Sequence, residues 1–362
     1  YDTSLIRYEH AAVKSLTTLS LLNVGQGIII AFGLTILLIL SAKRVSIGEM
    51  SIGEFAAVNL YMMQLFQPLN FLGFVYREIR QSLVDMEYMF GLLEVEREIK
   101  DITGAKDLSV SYGEIRYENV SFSYDKNRVI LKDLNFEVSA GRKVAIVGAS
   151  GAGKSTISRL LFRFYDIDEG KITIDGQDIR DITQSSLRES IGVVPQDTVL
   201  FNDTIYYNVQ YGRPTATPSE VEAAARMAHI HDFIISLPDG YNTKVGERGL
   251  KLSGGERQRV SIARTILKQP MILLFDEATS ALDTNTEREI QKSLDDVSAN
   301  RTTLIIAHRL STVVDADEIL VLDGGSIIER GRHNVLLAAK GVYASLWARQ
   351  QEVEKRNMDK LI

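Results

Sequence analysis

From Ser15 to Ala42 the chain carries no charged side chain, and the Ile28-Ile29-Ile30 and Leu34 to Leu40 clusters are apolar around the whole helix. That stretch exceeds the roughly 20 residues a membrane-spanning helix needs. Residues 1–19 set Arg7, Glu9 and Lys14 among apolar positions, as the cytosolic extension of the same helix would. Lys43, Arg44, Gly48, Glu49 and Gly53 form a polar turn, and Phe55 to Tyr76 is a second uncharged segment. Pro68 interrupts it, which membrane helices tolerate better than soluble ones. The pattern predicts spans over 20–42 and 55–76 within a helical region 1–100. A buried helix of a soluble protein is the alternative.

Two successive spans return the chain to its starting side. Arg7 and Lys14 before the pair and Arg77 and Arg80 after it are matched by Lys43 and Arg44 between, so basic residues do not set the orientation. Asn23, Gln26, Gln64, Gln67 and Asn70 are polar groups within hydrocarbon. Such groups either hydrogen-bond a neighbouring helix or line a substrate pocket, and both readings stay open. A helical pattern with charges on one side continues from Glu78 to Ile99, residues 101–112 read as a linker, and an α/β pattern follows over 113–349, with 350–362 as a tail. Alternation over Ile115 to Tyr124 and over Leu134 to Val138 predicts half-exposed strands.

Four later runs are apolar without alternation, as strands covered on both faces should be. Val144 to Val147 runs into Gly148-Ala-Ser150-Gly151-Ala-Gly153-Lys154-Ser155-Thr156; Ile191 to Pro195 ends in Gln196; Met271 to Phe275 ends in Asp276-Glu277; Thr303 to Ala307 ends in His308. Ligands of open parallel sheets bind outside the carboxyl ends of the strands, so these residues gather at one edge. The first run is strand, glycine-rich turn and helix, the order a phosphate-binding loop requires. Glycines let backbone N–H groups turn inward, and the helix start adds its positive end. Lys154 would reach the β/γ-phosphates and Ser155 would ligate Mg²⁺. Asp276 would hold the metal shell, Glu277 would orient or deprotonate the attacking water, His308 would bond the γ-phosphate, and Gln196 would touch metal or water.

Leu252-Ser253-Gly254-Gly255-Glu256-Arg257-Gln258 reads as another anion-binding helix start with Ser253 at the N-cap. One nucleotide does not need two cradles in one chain. The economical solution is a head-to-tail dimer in which Ser253 and Gly255 of one copy close over the phosphate held by Lys154 of the other; a plain serine-capped helix is the bland reading.

A net charge of −6 gives no basic footprint, so nucleic acid is an unfavoured partner. The chain has no cysteine, which excludes disulfides and thiolate metal sites within it. It opens on Tyr1 without a signal-peptide pattern, and a truncated N-terminus is expected.

Tyr124, the phosphate loop, Gln196, Leu252 to Gln258, Asp276-Glu277, Ser280-Ala281-Leu282-Asp283 and His308 together resemble the full motif set of the ATP-binding cassette ATPases, over residues 113–349. The resemblance implies an α/β P-loop NTPase, here an ABC nucleotide-binding domain, preceded by all-α transmembrane helices, the last two spans of an exporter-type membrane domain. It implies that Tyr124 stacks on adenine, that Thr243 to Gly249 senses the membrane helices, and that Asp283 lies in a loop crossing the dimer interface. The family has six spans and domain-swapped coupling helices, so four spans are expected to precede Tyr1. Leu22 to Gln26 and Pro68 to Ile79 resemble the mitochondrial ATM type and its bacterial relatives, associated with glutathione-linked sulfur or metal-thiol export. On that resemblance Asn23, Gln26, Asn70 and Glu78 face a glutathione pocket. It implies an ATP- and Mg²⁺-dependent homodimer in a bacterial inner membrane, or alternatively a mitochondrial one. A lipid or multidrug exporter and a non-transport cassette ATPase are the rival expectations.

Overall fold

The computed structural model describes residues 2–95, 98–125, 128–276, 284–307 and 309–359. The chain divides into Tyr1–Arg97 and Glu98–Ile362.

The first unit consists of α1 (Asp2–Ser46) and α2 (Ile52–Leu93). The polar turn is shorter than expected, because Lys43 and Arg44 sit in the last turn of α1, where cations suit the carbonyl end. The left-handed Gly48 closes that helix, with Gly48 N donating to Val45 O and Glu49 N to Arg44 O. Ser51 starts α2 through a reciprocal capping box with Glu54. Pro68 does not break α2, which ends at Leu93 rather than near Ile99, with Glu94 as its C-cap. The helices meet where a Cβ on Gly33 would lie 3.9 Å from the Phe66 ring.

Leu21, Ile29 and Phe32 leave 75%, 74% and 69% of their surfaces uncovered, a run of exposed apolar groups that water does not favour. Among the described residues one helix, over Leu5–Ser46, is long and apolar enough to cross a membrane by length and composition. The expected second span is helical, but Asn59, Gln64, Gln67 and Asn70 dilute its apolar character. Asn59 turns its amide back onto Phe55 O at 2.9 Å.

The second unit runs β1 (Ile115–Asp125), β2 (Arg128–Val138), β3 (Lys143–Gly148), α3 (Lys154–Leu161), β4 (Glu169–Ile174), β5 (Gln177–Asp178), α4 (Gln184–Ser190) and β6 (Ile191–Val194). It continues through α5 (Ile205–Gln210), α6 (Pro218–Met227), α7 (His231–Ser236), α8 (Gly254–Lys268), β7 (Ile272–Asp276), α9 (Thr284–Ser298), β8 (Thr302–Ile306), β9 (Glu318–Asp323), β10 (Ser326–Gly331), α10 (His333–Ala339) and α11 (Val342–Asp359). A four-stranded antiparallel sheet has the order β2-β1-β4-β5, and a six-stranded sheet the order β10-β9-β3-β8-β7-β6. The larger sheet is parallel except for β10 at its edge.

Each central strand feeds two cores by alternation. Val144, Ile146, Leu274, Leu304, Ile306 and Leu320 pack with α3 and the antiparallel sheet, while Ala145, Val147, Leu273, Phe275, Ile305 and Ile319 pack with the helices from α5 onward. Burial on both faces explains the absence of polar alternation in these runs. Three boundaries differ from expectation. Strand β2 begins at Arg128, because pairing with β1 extends it. Asp276 closes β7 opposite Ile306 instead of following the strand. Residues 350–359, expected as tail, continue α11.

Residues 101–112 are fastened to this unit. Asp175, at the left-handed tip of the β4–β5 turn, accepts the amides of Ser111, Tyr112, Gly113 and Glu114 at 2.7–3.1 Å. The nearly buried Arg163, just beyond α3, donates to Lys100 O, Ile179 O and Ile182 O and pairs with Asp166 at 2.9 Å.

Candidate nucleotide site

Strand β8 pairs in parallel with both β3 and β7, and β7 with β6, so four carboxyl ends emerge on one edge. That edge carries the loop after Gly148, Gln196, Asp276 and the chain beyond Ile306. The loop's glycines are required for different reasons. A Cβ on Gly148 would lie 2.1 Å from Leu322 O of β9, and one on Gly153 would lie 2.8 Å from Leu131 Cδ2. Gly151 has open space but sits at φ +81°, which side chains rarely adopt.

Gly153 caps α3 without a side-chain acceptor, and its carbonyl accepts the Thr156 amide at 3.0 Å. Lys154 is 4% exposed, and its Nζ donates to Gly148 O at 2.8 Å and Ala149 O at 3.0 Å. A buried ammonium beside a helix start without a side-chain cap suits a polyphosphate in chemistry and charge. Ser150 and Ser155 are exposed, whereas Thr156 is buried, with its Oγ1 3.3 Å from the Tyr124 hydroxyl.

Tyr124, 43% exposed, stands edge-on to Phe122 and Tyr165 at 4.9 and 5.0 Å between ring centroids. Arg159 of α3 donates to the Tyr124 hydroxyl at 3.1 Å, and that hydrogen bond raises the guanidinium above its ordinary pKa. Sequence reading missed Arg159. It lies in no motif, and only the pairing of β1 beside α3 brings it to Tyr124.

Ser253 caps α8 by accepting from Glu256 N, while Ser253 N donates to Glu256 Oε2 at 2.7 Å. Ser253 and Gly254 are exposed and Gly255 is buried. Further along, the buried Gln258 donates to Pro195 O at 3.2 Å and accepts from Thr198 at 2.6 Å. The last residue of the serine-glycine motif thus anchors the strand end that carries the exposed Gln196. Beside that anchor is a cleft of about 340 Å³ lined by Val193, Thr198, Tyr211, Arg264 and Lys268 among others. The Thr243 to Gly249 segment is held by Ile205 N donating to Thr243 O and Val245 N to Asp203 O, both at 3.0 Å.

Glu277, Ser280, Ala281, Leu282, Asp283 and His308 lie outside the described residues, as does the side chain of Asn70. In α1, Asn23 is exposed and Gln26 half-buried, three residues apart on one face; in α2, Glu78 is exposed.

A parallel sheet with a phosphate loop on its carboxyl edge and a second glycine-rich helix start defines the class of a nucleotide-binding cassette. Residues 131–280 match the family model described as ABC transporter, and residues 1–69 match the ABC transporter transmembrane region. The chain is 56% identical over 359 residues to the human ATP-binding cassette sub-family B member 6, covering 99% of this chain and 43% of that protein. It is 55% identical over 350 residues to the ATM1-type heavy metal exporter of Novosphingobium aromaticivorans, covering 97% of this chain and 58% of the relative. A solved structure of a bacterial Atm1-family ABC exporter with ATP bound superposes with a TM-score of 0.78 at 56% identity, covering 95% of this chain and 60% of that one. The chain matches part of the ATM1-type exporters of the ATP-binding cassette family, and it spans about half the length of these relatives.

Proposed function

We propose that this chain forms the ATP-binding and ATP-hydrolysing part of a homodimeric exporter whose cargo is a glutathione-linked sulfur or metal-thiol compound. One observation supports the dimer most directly. The core residues Ile157, Leu160 and Leu161 of α3 and Val260, Ile262 and Ile266 of α8 belong to opposite faces of the parallel sheet. A nucleotide over Lys154 would therefore meet Ser253, Gly254, Gly255 and Glu256 of a second copy, not of its own chain.

Lys154 and the first amides of α3 bind the polyphosphate, and Tyr124, held by Arg159 and Thr156, offers its ring to adenine. Ser155, Asp276 and Gln196 would hold Mg²⁺, which neutralises phosphate charge when bound. Glu277 takes the water proton, His308 bonds the γ-phosphate, and Asp283 crosses to the second copy. Closure and reopening of the paired cassettes turn a cavity in the membrane helices outward and back. Asn23, Gln26, Asn70 and Glu78 contact the cargo. Relatives described as a heavy metal exporter and as a mitochondrial iron-sulfur clusters transporter support a metal-containing cargo and either a bacterial or a mitochondrial membrane.

In the full-length protein Glu277→Gln is expected to keep ATP binding and lower turnover roughly 10²- to 10⁴-fold. Near-normal steady-state hydrolysis in that variant would remove Glu277 as the base.

A further inference from the structure

Strand β1 meets α3 through two tyrosines. Tyr117 is buried, stacks on Phe136 with 4.4 Å between ring centroids, and donates its hydroxyl to Ile157 O at 3.0 Å. Losing that acceptor would leave a buried hydroxyl unsatisfied, so the contact holds strand and helix in one register. Tyr124, next to the last residue of the same strand, is the exposed member of the pair.

Two side chains of α3 converge on the Tyr124 hydroxyl. Thr156 Oγ1 lies 3.3 Å from it, and Arg159 Nη1 donates to it at 3.1 Å. These two residues are three apart in a helix and therefore share a face. The Arg159 guanidinium carbon sits 6.0 Å from the centre of the Tyr124 ring, at the reach of a cation–π contact. A half-exposed tyrosine otherwise turns about two side-chain torsions, and the freedom it gives up on stacking subtracts from affinity. A guanidinium keeps its charge and its donors across the physiological pH range, so this hold is permanent.

We propose that Arg159 is a positioning and specificity residue for the nucleotide base: by holding the Tyr124 hydroxyl it fixes the ring on which the base stacks. The inference rests on the reading of Tyr124 as the adenine contact. The phosphates are bound by the loop after β3 and the start of α3, which do not run through the Tyr124 ring. Loss of Arg159 therefore weakens a ligand that carries a base and spares a polyphosphate that lacks one.

The test is titration calorimetry of the full-length protein with Mg²⁺ and either adenylyl imidodiphosphate, a non-hydrolysable ATP analogue, or inorganic tripolyphosphate. Arg159→Leu is expected to raise Kd for the analogue roughly three- to tenfold, the effect of one exposed hydrogen bond, and Kd for tripolyphosphate less than about twofold. Tyr124→Phe keeps the ring and removes the hydroxyl, so it should show a comparable loss, and the double variant should lose no more than the larger single loss. Wild-type affinity for the analogue in Arg159→Leu, an equal loss for tripolyphosphate, or additive losses in the double variant would overturn the proposal. Melting temperature identifies an Arg159→Leu protein that fails to fold, and Tyr124→Phe then decides: wild-type affinity for the analogue in that variant would overturn the assignment. Tyr124→Ala separates the two readings. If it binds the analogue like wild type, the adenine role of Tyr124 fails and the proposal with it; if it binds weakly while Arg159→Leu does not, only the role of Arg159 fails.

Discussion

At the scale of single residues, the two kinds of glycine in the phosphate loop should respond differently to the same added methyl group. A Cβ on Gly148 would overlap the carbonyl oxygen of Leu322 at 2.1 Å, and that oxygen belongs to a central strand that cannot swing away. Gly151 has nothing near its missing Cβ and carries only the strain of φ +81°. Gly148→Ala is expected to cost about 3–5 kcal/mol and Gly151→Ala about 1–2 kcal/mol, read by chemical denaturation. Equal losses would show that backbone strain, not the approach of β9, fixes Gly148. The sequence shows both glycines in one motif and does not distinguish them, because the distinction comes from a strand far along the chain.

At the scale of elements, Asp175 converts residues 111–114 from a linker into part of the cassette. Burial opposes its charge, but four backbone N–H donors outweigh that and hold the carboxyl below the usual carboxylate range. The folded state therefore binds this proton less readily than the unfolded chain does. The stabilisation is complete above the ordinary carboxylate pKa and is lost as pH falls through the lowered folded value. Because Asp175 is partly solvated, its contribution is discounted to about 1–2 kcal/mol. Asp175→Asn should lower stability at neutral pH by about that amount, flatten the acid limb of the stability curve, and speed amide exchange at 111–114. Unchanged exchange in that segment would show that Arg163 and Gln184, which hold residues 99–101, fasten the connector alone.

Other elements were legible for plain reasons. Four parallel strands could be read as apolar runs ending in chemistry. Strand β9, Glu318-Ile-Leu-Val-Leu-Asp323, has the same apolar signature but ends in no motif, so nothing drew attention to it. The length of β2 was hidden because its polar half is held by pairing to β1, a non-local term that local pattern does not report.

At the scale of the whole molecule, the cargo is the quantity to be tested. ATP hydrolysis by the full-length dimer in lipid should rise roughly two- to tenfold with oxidised glutathione and stay flat with lipids or hydrophobic drugs, since ligand that favours the closing state shifts the cycle only by its differential affinity. Stimulation by a drug panel and not by oxidised glutathione would favour a multidrug exporter. On the proposed reading, Asn23, Gln26 and Glu78 would offer polar contacts to such a cargo.

The phosphate loop, the serine-capped helix start and the uncharged span were fixed by sequence, because each depends on neighbours within a few residues: glycine freedom, a cap three residues away, a run of apolar side chains. What only the tertiary structure decided was which distant groups act on them. Leu322 against Gly148, Arg159 on Tyr124 and Gln258 under the Gln196 strand end are contacts between elements far apart in the chain. Such contacts depend on sheet order and on which face a helix packs, and those follow from burying two cores at once, not from any local pattern.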